Sequence, residues 1–175
     1  MMRKQYIIAL FAFLSIFLIN APANAATPKV IGEYDDWIAY YIDEPTGRVC
    51  YMASTPKKDE GKYTVRGDIY SMVTHRPKEG SFDVVSFIAG YNYKADSAIT
   101  VRIGSAKFKD LFASLDKAWA LDEDTDKALV RSMKRGYRMI VNGISSRGTK
   151  TKDTYSLKGF ASAYKAINSK CPKKK

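Results

Sequence analysis

From Trp37 to Leu157 the chain is cut into short β-branched and aromatic runs by Gly, Pro, Asn and Asp, and that spacing restricts it to a mainly β architecture. Trp37 to Ile42 is such a run; the turn residues Asp43-Glu44-Pro45-Thr46-Gly47 end it, and Arg48 to Ala53 reads as the returning strand. Ile69 to Arg76, stopped by Pro77, and Phe82 to Ala89, stopped by Gly90, are two more. Ala98 to Ile103 alternates cleanly, with Ile99, Val101 and Ile103 on one side and Thr100 and Arg102 on the other. Tyr137 to Ile144 and Thr149 to Leu157 complete the set, and the polar stretch Thr55 to Lys62 reads as a loop. Short strands at regular turn spacing predict a sandwich or barrel.

Two segments carry helical periodicity instead. The first follows Asp122-Glu123-Asp124, with Asp124 as the expected N-cap, Leu129, Val130 and Met133 as its apolar side, and Lys134, Arg135 and Gly136 at its end. Acid first, base last and glycine at the stop complement the helix dipole and the C-cap. The second runs from about Phe160 to Lys170, where Phe160, Ala163, Tyr164, Ile167 and Cys171 recur at three-to-four spacing.

Residues 1–25 stand apart from this pattern. Arg3 and Lys4 precede the apolar run Tyr6 to Ile19, Asn20 and Pro22 end it, and Ala23-Asn24-Ala25 forms an A-x-A cleavage signal. These are the three parts of a secretory signal peptide, with Ala26 as the expected new N-terminus. A spanning helix needs about 20 apolar residues, more than this run supplies. The remaining segment, residues 26–175, is the size of one domain and carries no second apolar stretch of spanning length. The protein is therefore expected to be periplasmic or secreted, with no stable membrane span after cleavage.

Export changes the meaning of the charge and of the cysteines. Removing Arg3 and Lys4 from a chain of net charge +11 leaves +9. Outside the cytoplasm the anions within reach are lipid headgroups, lipopolysaccharide phosphates, host glycans and acidic proteins, so an anionic envelope or host-surface component is the expected kind of partner and nucleic acid is not. Net charge also serves solubility, and does not by itself locate a patch. Cys50 and Cys171 are the only cysteines, and an even pair in an oxidising compartment predicts one disulfide. With the single His75 they cannot supply a four-ligand structural zinc site.

Catalytic and cofactor motifs are weak. Asp122-x-Asp124-x-Asp126 opens like a calcium loop, but Lys127 stands where the glycine is needed and Met133 where the closing glutamate is needed. Gly143-Ile144-Ser145-Ser146-Arg147-Gly148 is a poor match to a nucleophile elbow, with Arg147 in place of the second glycine and a strand rather than a helix to follow. His75 sits within a strand with no acid, base and nucleophile set around it, and no Gly-rich phosphate loop is present. The expectation is a non-enzymatic protein without a cofactor.

Several blocks of the chain resemble the invasion associated locus B (IalB) family of exported bacterial proteins. They are Arg48-Val49-Cys50-Tyr51 with Ser54-Thr55-Pro56-Lys57-Lys58, Val73-Thr74-His75-Arg76-Pro77, Gly90-Tyr91, Ala118-Trp119-Ala120 and Met133-Lys134-Arg135-Gly136. The longest is Ser145-Ser146-Arg147-Gly148-Thr149, continued by Thr151 and by Asp153 to Phe160. The resemblance implies an immunoglobulin-like β-sandwich, an envelope location, and for pathogenic members a role in host-cell entry. Many members carry a further cysteine soon after the first Trp, where this chain has Tyr40 and Tyr41. The alternative role is envelope maintenance, a chaperone-like module acting on another exported protein.

The segment from Ser145 to Leu157 is the expected functional surface, with Arg147, Lys150, Lys152, Tyr155 and Lys158 as candidate binding residues. Strand alternation puts Thr149, Thr151, Asp153 and Tyr155 on one face and Lys150, Lys152, Thr154 and Ser156 on the other. The competing interpretation is an edge strand whose lysines discourage aggregation.

Overall fold

The computed structural model describes residues 26–109 and 111–173. The N-terminal apolar segment with its cleavage motif, and the last two lysines of the tail, lie outside the described residues. The elements in chain order are β1 Lys29–Tyr34, β2 Trp37–Glu44, β3 Gly47–Ser54, β4 Lys58–Gly61, β5 Tyr70–Arg76, β6 Ser81–Ile88, β7 Thr100–Ile103, β8 Ala106–Phe108, β9 Phe112–Ser114 and β10 Lys117–Trp119, then helix α1 Glu123–Arg135, β11 Arg138–Ile144, β12 Lys150–Ser156 and helix α2 Phe160–Lys170. A 3-10 turn at Pro77–Glu79 joins β5 to β6. The strands form two antiparallel sheets, one in the order β1-β2-β3-β5-β6-β10-β9 and the other β4-β12-β11-β7-β8. This is the all-β sandwich with two short helices that the strand pattern and the resemblance implied.

Local chemistry explains most of these elements. Gly47 follows the two-residue Pro45-Thr46 turn with φ +134, a conformation open to glycine, and Ile38 to Glu44 of β2 then pairs with Gly47 to Ala53 of β3. The stretch Lys58–Gly61 is a strand rather than a loop. Its residues are poor β-formers, and it is extended because β12 offers a free row of backbone groups to which it pairs from Lys58 to Gly61.

Asp122, not Asp124, caps α1: its carboxylate accepts from the Thr125 N–H at 2.7 Å. Gly136 has φ −85, so it is not the left-handed stop expected from sequence. Glycine is needed there for proximity, since a Cβ would lie 2.5 Å from Ile103 Cγ2 and 2.9 Å from Leu157 Cδ1. In α2, Phe160, Ala163 and Ile167 are buried on the periodic face.

A single core joins both sheets and both helices. Trp37, Met52, Val73 and Phe87 of the larger sheet meet Val101, Met139 and Tyr155 of the smaller one, together with Leu129 and Met133 of α1 and Phe160 and Ile167 of α2. The Trp37 indole N–H donates to the Ser156 carbonyl at 3.0 Å, and its ring meets Phe160 edge-on with centroids 4.9 Å apart. Cys50 of β3 is bonded to Cys171 at the end of α2, with Cα atoms 6.0 Å apart.

One buried acid makes stability pH-dependent. Asp126 faces inward from α1, its Oδ1 accepting from the Val85 N–H at 2.9 Å, and burial raises its pKa to about 6. An acid with a raised folded pKa stabilises the protein where it is protonated, and that contribution is lost as pH rises from about 4 through about 6. Asp126→Asn keeps the acceptor and removes the charge. It is expected to raise the unfolding free energy by about 1–2 kcal/mol at pH 7 and by much less at pH 4. Urea denaturation at the two pH values checks this, and equal gains at both would refute it.

Candidate binding surface

The β11–β12 connection is a tight turn built by its own side chains. Ser145 N–H donates to the Thr149 carbonyl at 2.9 Å, Gly148 N–H to the Ser145 carbonyl at 2.8 Å, and Ser145 Oγ accepts from the Thr149 N–H at 3.2 Å. Gly148 has φ +84. Ser145 is buried in a strand–turn–strand connection, so the geometry of a nucleophile elbow is absent here. His75 is wholly buried opposite Cys50, with Nδ1 accepting from the Asp83 N–H at 3.1 Å; burial holds its pKa below the usual imidazole range. The three aspartates of the calcium-like motif diverge: Asp122 caps α1, Asp124 is exposed and Asp126 enters the core.

Along β12 the alternation holds. Thr151, Asp153 and Tyr155 are buried, and Lys150 and Lys152 are exposed. Tyr155 is therefore withdrawn from the binding surface: it is 1% exposed, on the same inward face as Asp153, and burial lifts its phenol well above the ordinary range. Nor is β12 an edge strand, because β4 covers one side and β11 the other. Its lysines do not guard a free edge.

The remaining candidates occupy three places. Lys150 and Lys152 share the outer face of the smaller sheet, where Lys152 pairs with Glu60 at 2.9 Å. Arg147 is exposed in the turn, and among the described residues neither it nor Lys150 makes an ion pair. Lys158 lies past the far end of β12 and pairs with Asp35 in the β1–β2 turn at 2.8 Å.

Strand pairing extends the basic face well beyond β12. One row across all five strands reads Lys58, Thr154, Ile140, Arg102, Lys107, and the next reads Glu60, Lys152, Asn142, Thr100. Arg138 and Lys150 complete the outward charges, giving six basic side chains against one acid on this face. The alternation already placed Arg102 outward. Its neighbours Lys107, Arg138 and Lys58 come from strands that only folding brings side by side.

At the turn end of this sheet the surface dips into a cleft of about 540 Å³ between residues 62–67, residues 90–92 and the β11–β12 turn. Its wall is pinned by Arg66, a residue the sequence did not single out. The guanidinium donates to both carboxylate oxygens of Asp153 at 2.7 Å, and its Nε donates to the Ala89 carbonyl at 2.7 Å. Both side chains are nearly sealed from solvent, at 4% and 6% exposed. The same guanidinium lies over the Tyr63 and Tyr91 rings, 5.4 and 5.0 Å from their centroids, and the Tyr91 hydroxyl is hydrogen-bonded to Thr151. Burial pushes the Asp153 carboxyl up while Arg66 opposes it, and the bidentate geometry is that of an ion pair. With Arg66 fully engaged, the cations at the cleft without an ion pair among the described residues are Lys62 and Arg147 on its rim.

Among the described residues no helix is long and apolar enough to cross a membrane. Comparison with curated proteins and with solved structures finds no match in either. The family model described as Invasion associated locus B (IalB) protein matches residues 37–168, from β2 through most of α2 and including the turn at the cleft. With most of its length matched, the chain belongs to the invasion associated locus B family.

Proposed function

We propose that this is an exported, non-enzymatic binding protein, periplasmic or secreted, that holds an anionic component of the bacterial envelope or of a host-cell surface against the outer face of its five-stranded sheet. The observation that carries the reading is the imbalance of six basic side chains to one acid on that face, in a chain whose net charge is +11. Arg102, Lys107 and Arg138 make no ion pair among the described residues and are exposed, so their charge is available to a partner. The signal-like N-terminus, the Cys50–Cys171 bond and family membership support export. The sealed imidazole of His75 and the buried Ser145 support a binding role over a hydrolytic one.

The test is binding to anionic phospholipid vesicles and to a sulfated glycan at rising salt. Each basic side chain near an anionic surface contributes about 1 kcal/mol, so Arg102→Ala with Lys107→Ala and Arg138→Ala is expected to bind about 100-fold more weakly at low salt. Wild-type binding should fade as the screening length falls from about 10 Å at 0.1 M to about 3 Å at 1 M. A folded triple variant that binds as well as wild type sinks the proposal. The measurement is repeated without the C-terminal lysines, which could give the same salt response unaided.

A further inference from the structure

We propose that the outer face of the seven-stranded sheet is a self-association surface, on which a second copy of this chain packs sheet against sheet. Two rows of side chains define it. One crosses all seven strands as Glu33, Ile38, Ala53, Met72, Ser86, Trp119 and Phe112; the other crosses five as Val30, Tyr40, Tyr51, Thr74 and Val84. Glu33, on the edge strand, is the one charged residue of the two rows, and nine of the twelve are apolar or aromatic. Tyr40 stacks on Tyr51 with centroids 5.0 Å apart, and Phe112 on Trp119 at 6.0 Å, which makes the surface broad and even. Val30 and Phe112 are 56% and 55% exposed.

Nothing among the described residues covers this face. Both helices lie against the opposite side of the sheet, where α2 meets Trp37 and Cys50 and α1 adds Leu129 and Met133 to the core. The strands therefore lack the plain alternation of apolar inside and polar outside that a solvated sheet shows, and read as apolar on both faces, as a strand covered on both sides does. Monomeric proteins rarely expose a contiguous apolar patch of this extent.

Charge and area both select a second copy as the occupant. Apart from Glu33 at the edge the rows are uncharged, so an acidic or basic partner gains little ion pairing here. Two copies docked through this face keep their basic sheets on the two outer sides. With layers about 10 Å apart, some 30 Å then separates the like charges, several screening lengths at physiological salt. Seven strands about 4.8 Å apart, five of them contributing four or five residues and β9 and β10 three each, give a footprint of about 30 by 10–15 Å. The relief of the side chains brings its accessible area towards the roughly 800 Å² per partner of a standard stable interface. The same patch on both copies gives a closed two-fold dimer.

The experiment is sedimentation equilibrium of the chain from Ala26 at about 1 and about 100 µM, for wild type and for Thr74→Lys with Ser86→Lys. Both positions are polar and partly solvent-facing, so the charges enter the rows without touching the core. Wild type is expected to dimerise in this range and to stay dimeric at 1 M salt, while the variant associates at least about 100-fold more weakly. Lys150→Ala with Lys152→Ala, on the other sheet, should leave the dimer intact, which separates this proposal from the binding reading above. Dilution of wild type followed by methyl NMR gives a measurement without substitution: the signals of Met72 and Ile38 should move and that of Ile140 should not. Wild type that is monomeric at about 100 µM, or a variant as dimeric as wild type, overturns the proposal.

Discussion

Arg66→Ala is expected to lower the unfolding free energy by about 3–5 kcal/mol, among the largest effects of any single substitution in this protein. The reason is what it leaves behind. Asp153 is 6% exposed and receives both of its charged hydrogen bonds from Arg66, so truncation strands a carboxylate in the core. The Ala89 carbonyl loses a donor, and the Tyr63 and Tyr91 rings lose the cation between them. Removing both members tests this origin. Arg66→Met with Asp153→Leu keeps the volume apolar and strands no charge, and is expected to recover most of the loss. Urea denaturation of the single and double variants measures it. A loss of less than about 1 kcal/mol for Arg66→Ala would show that the pair is solvated in solution. Because the pair ties residue 66 to β12, the cleft wall should loosen first, visible as faster amide exchange at Gly67, whose N–H donates to the Gly90 carbonyl at 2.9 Å.

Loss of the Cys50–Cys171 bond should be comparable. The bridge joins residues 121 positions apart, and closing a loop of that length removes about 4–5 kcal/mol of chain entropy from the unfolded state in the loop-entropy model. Measured losses for such bonds run about 2–5 kcal/mol, and Cys50→Ser with Cys171→Ser is expected within that range. Both cysteines are almost fully buried, at 0% and 2% exposed, so a mild reductant should act on the folded protein only as fast as it opens. Intact mass should rise by about two units on reduction after unfolding. Free thiols in protein isolated without reductant, or a double variant as stable as wild type, would contradict the assignment. The loss should be felt in α2, which the bond holds against β3, as faster exchange from Ile167 to Cys171.

The two buried pairs differ in how far the sequence announced them. Two cysteines in one chain can pair with each other in only one way, and the helical spacing of Phe160, Ala163, Ile167 and Cys171 brought the second towards the core. Arg66 carried no such mark. It lies in an irregular stretch between β4 and β5, and its partner is 87 residues away. Charge pairing across that distance has no local periodicity to betray it.

The same division runs through the fold and the surfaces. Strands β2, β3, β5, β6, β7, β11 and β12 and both helices were legible because each carries its own periodicity, turn residues or caps within about ten residues. Strands β4, β8, β9 and β10 are three or four residues long, too short for a period to show, and exist because a neighbouring strand satisfies their backbone. Alternation likewise separated Lys150 and Lys152 from Thr151, Asp153 and Tyr155, although it could not say that the face holding Tyr155 was the core. Sequence alone thus determined the β character, the helices, the disulfide pair and the direction of each lysine on β12, since all of these follow from spacing or counting along the chain. Tertiary structure decided that β12 is an interior strand, that six basic residues from five strands share one face, and that the middle of the opposite sheet is apolar outside as well as inside, because each depends on which strands become neighbours across long stretches of chain.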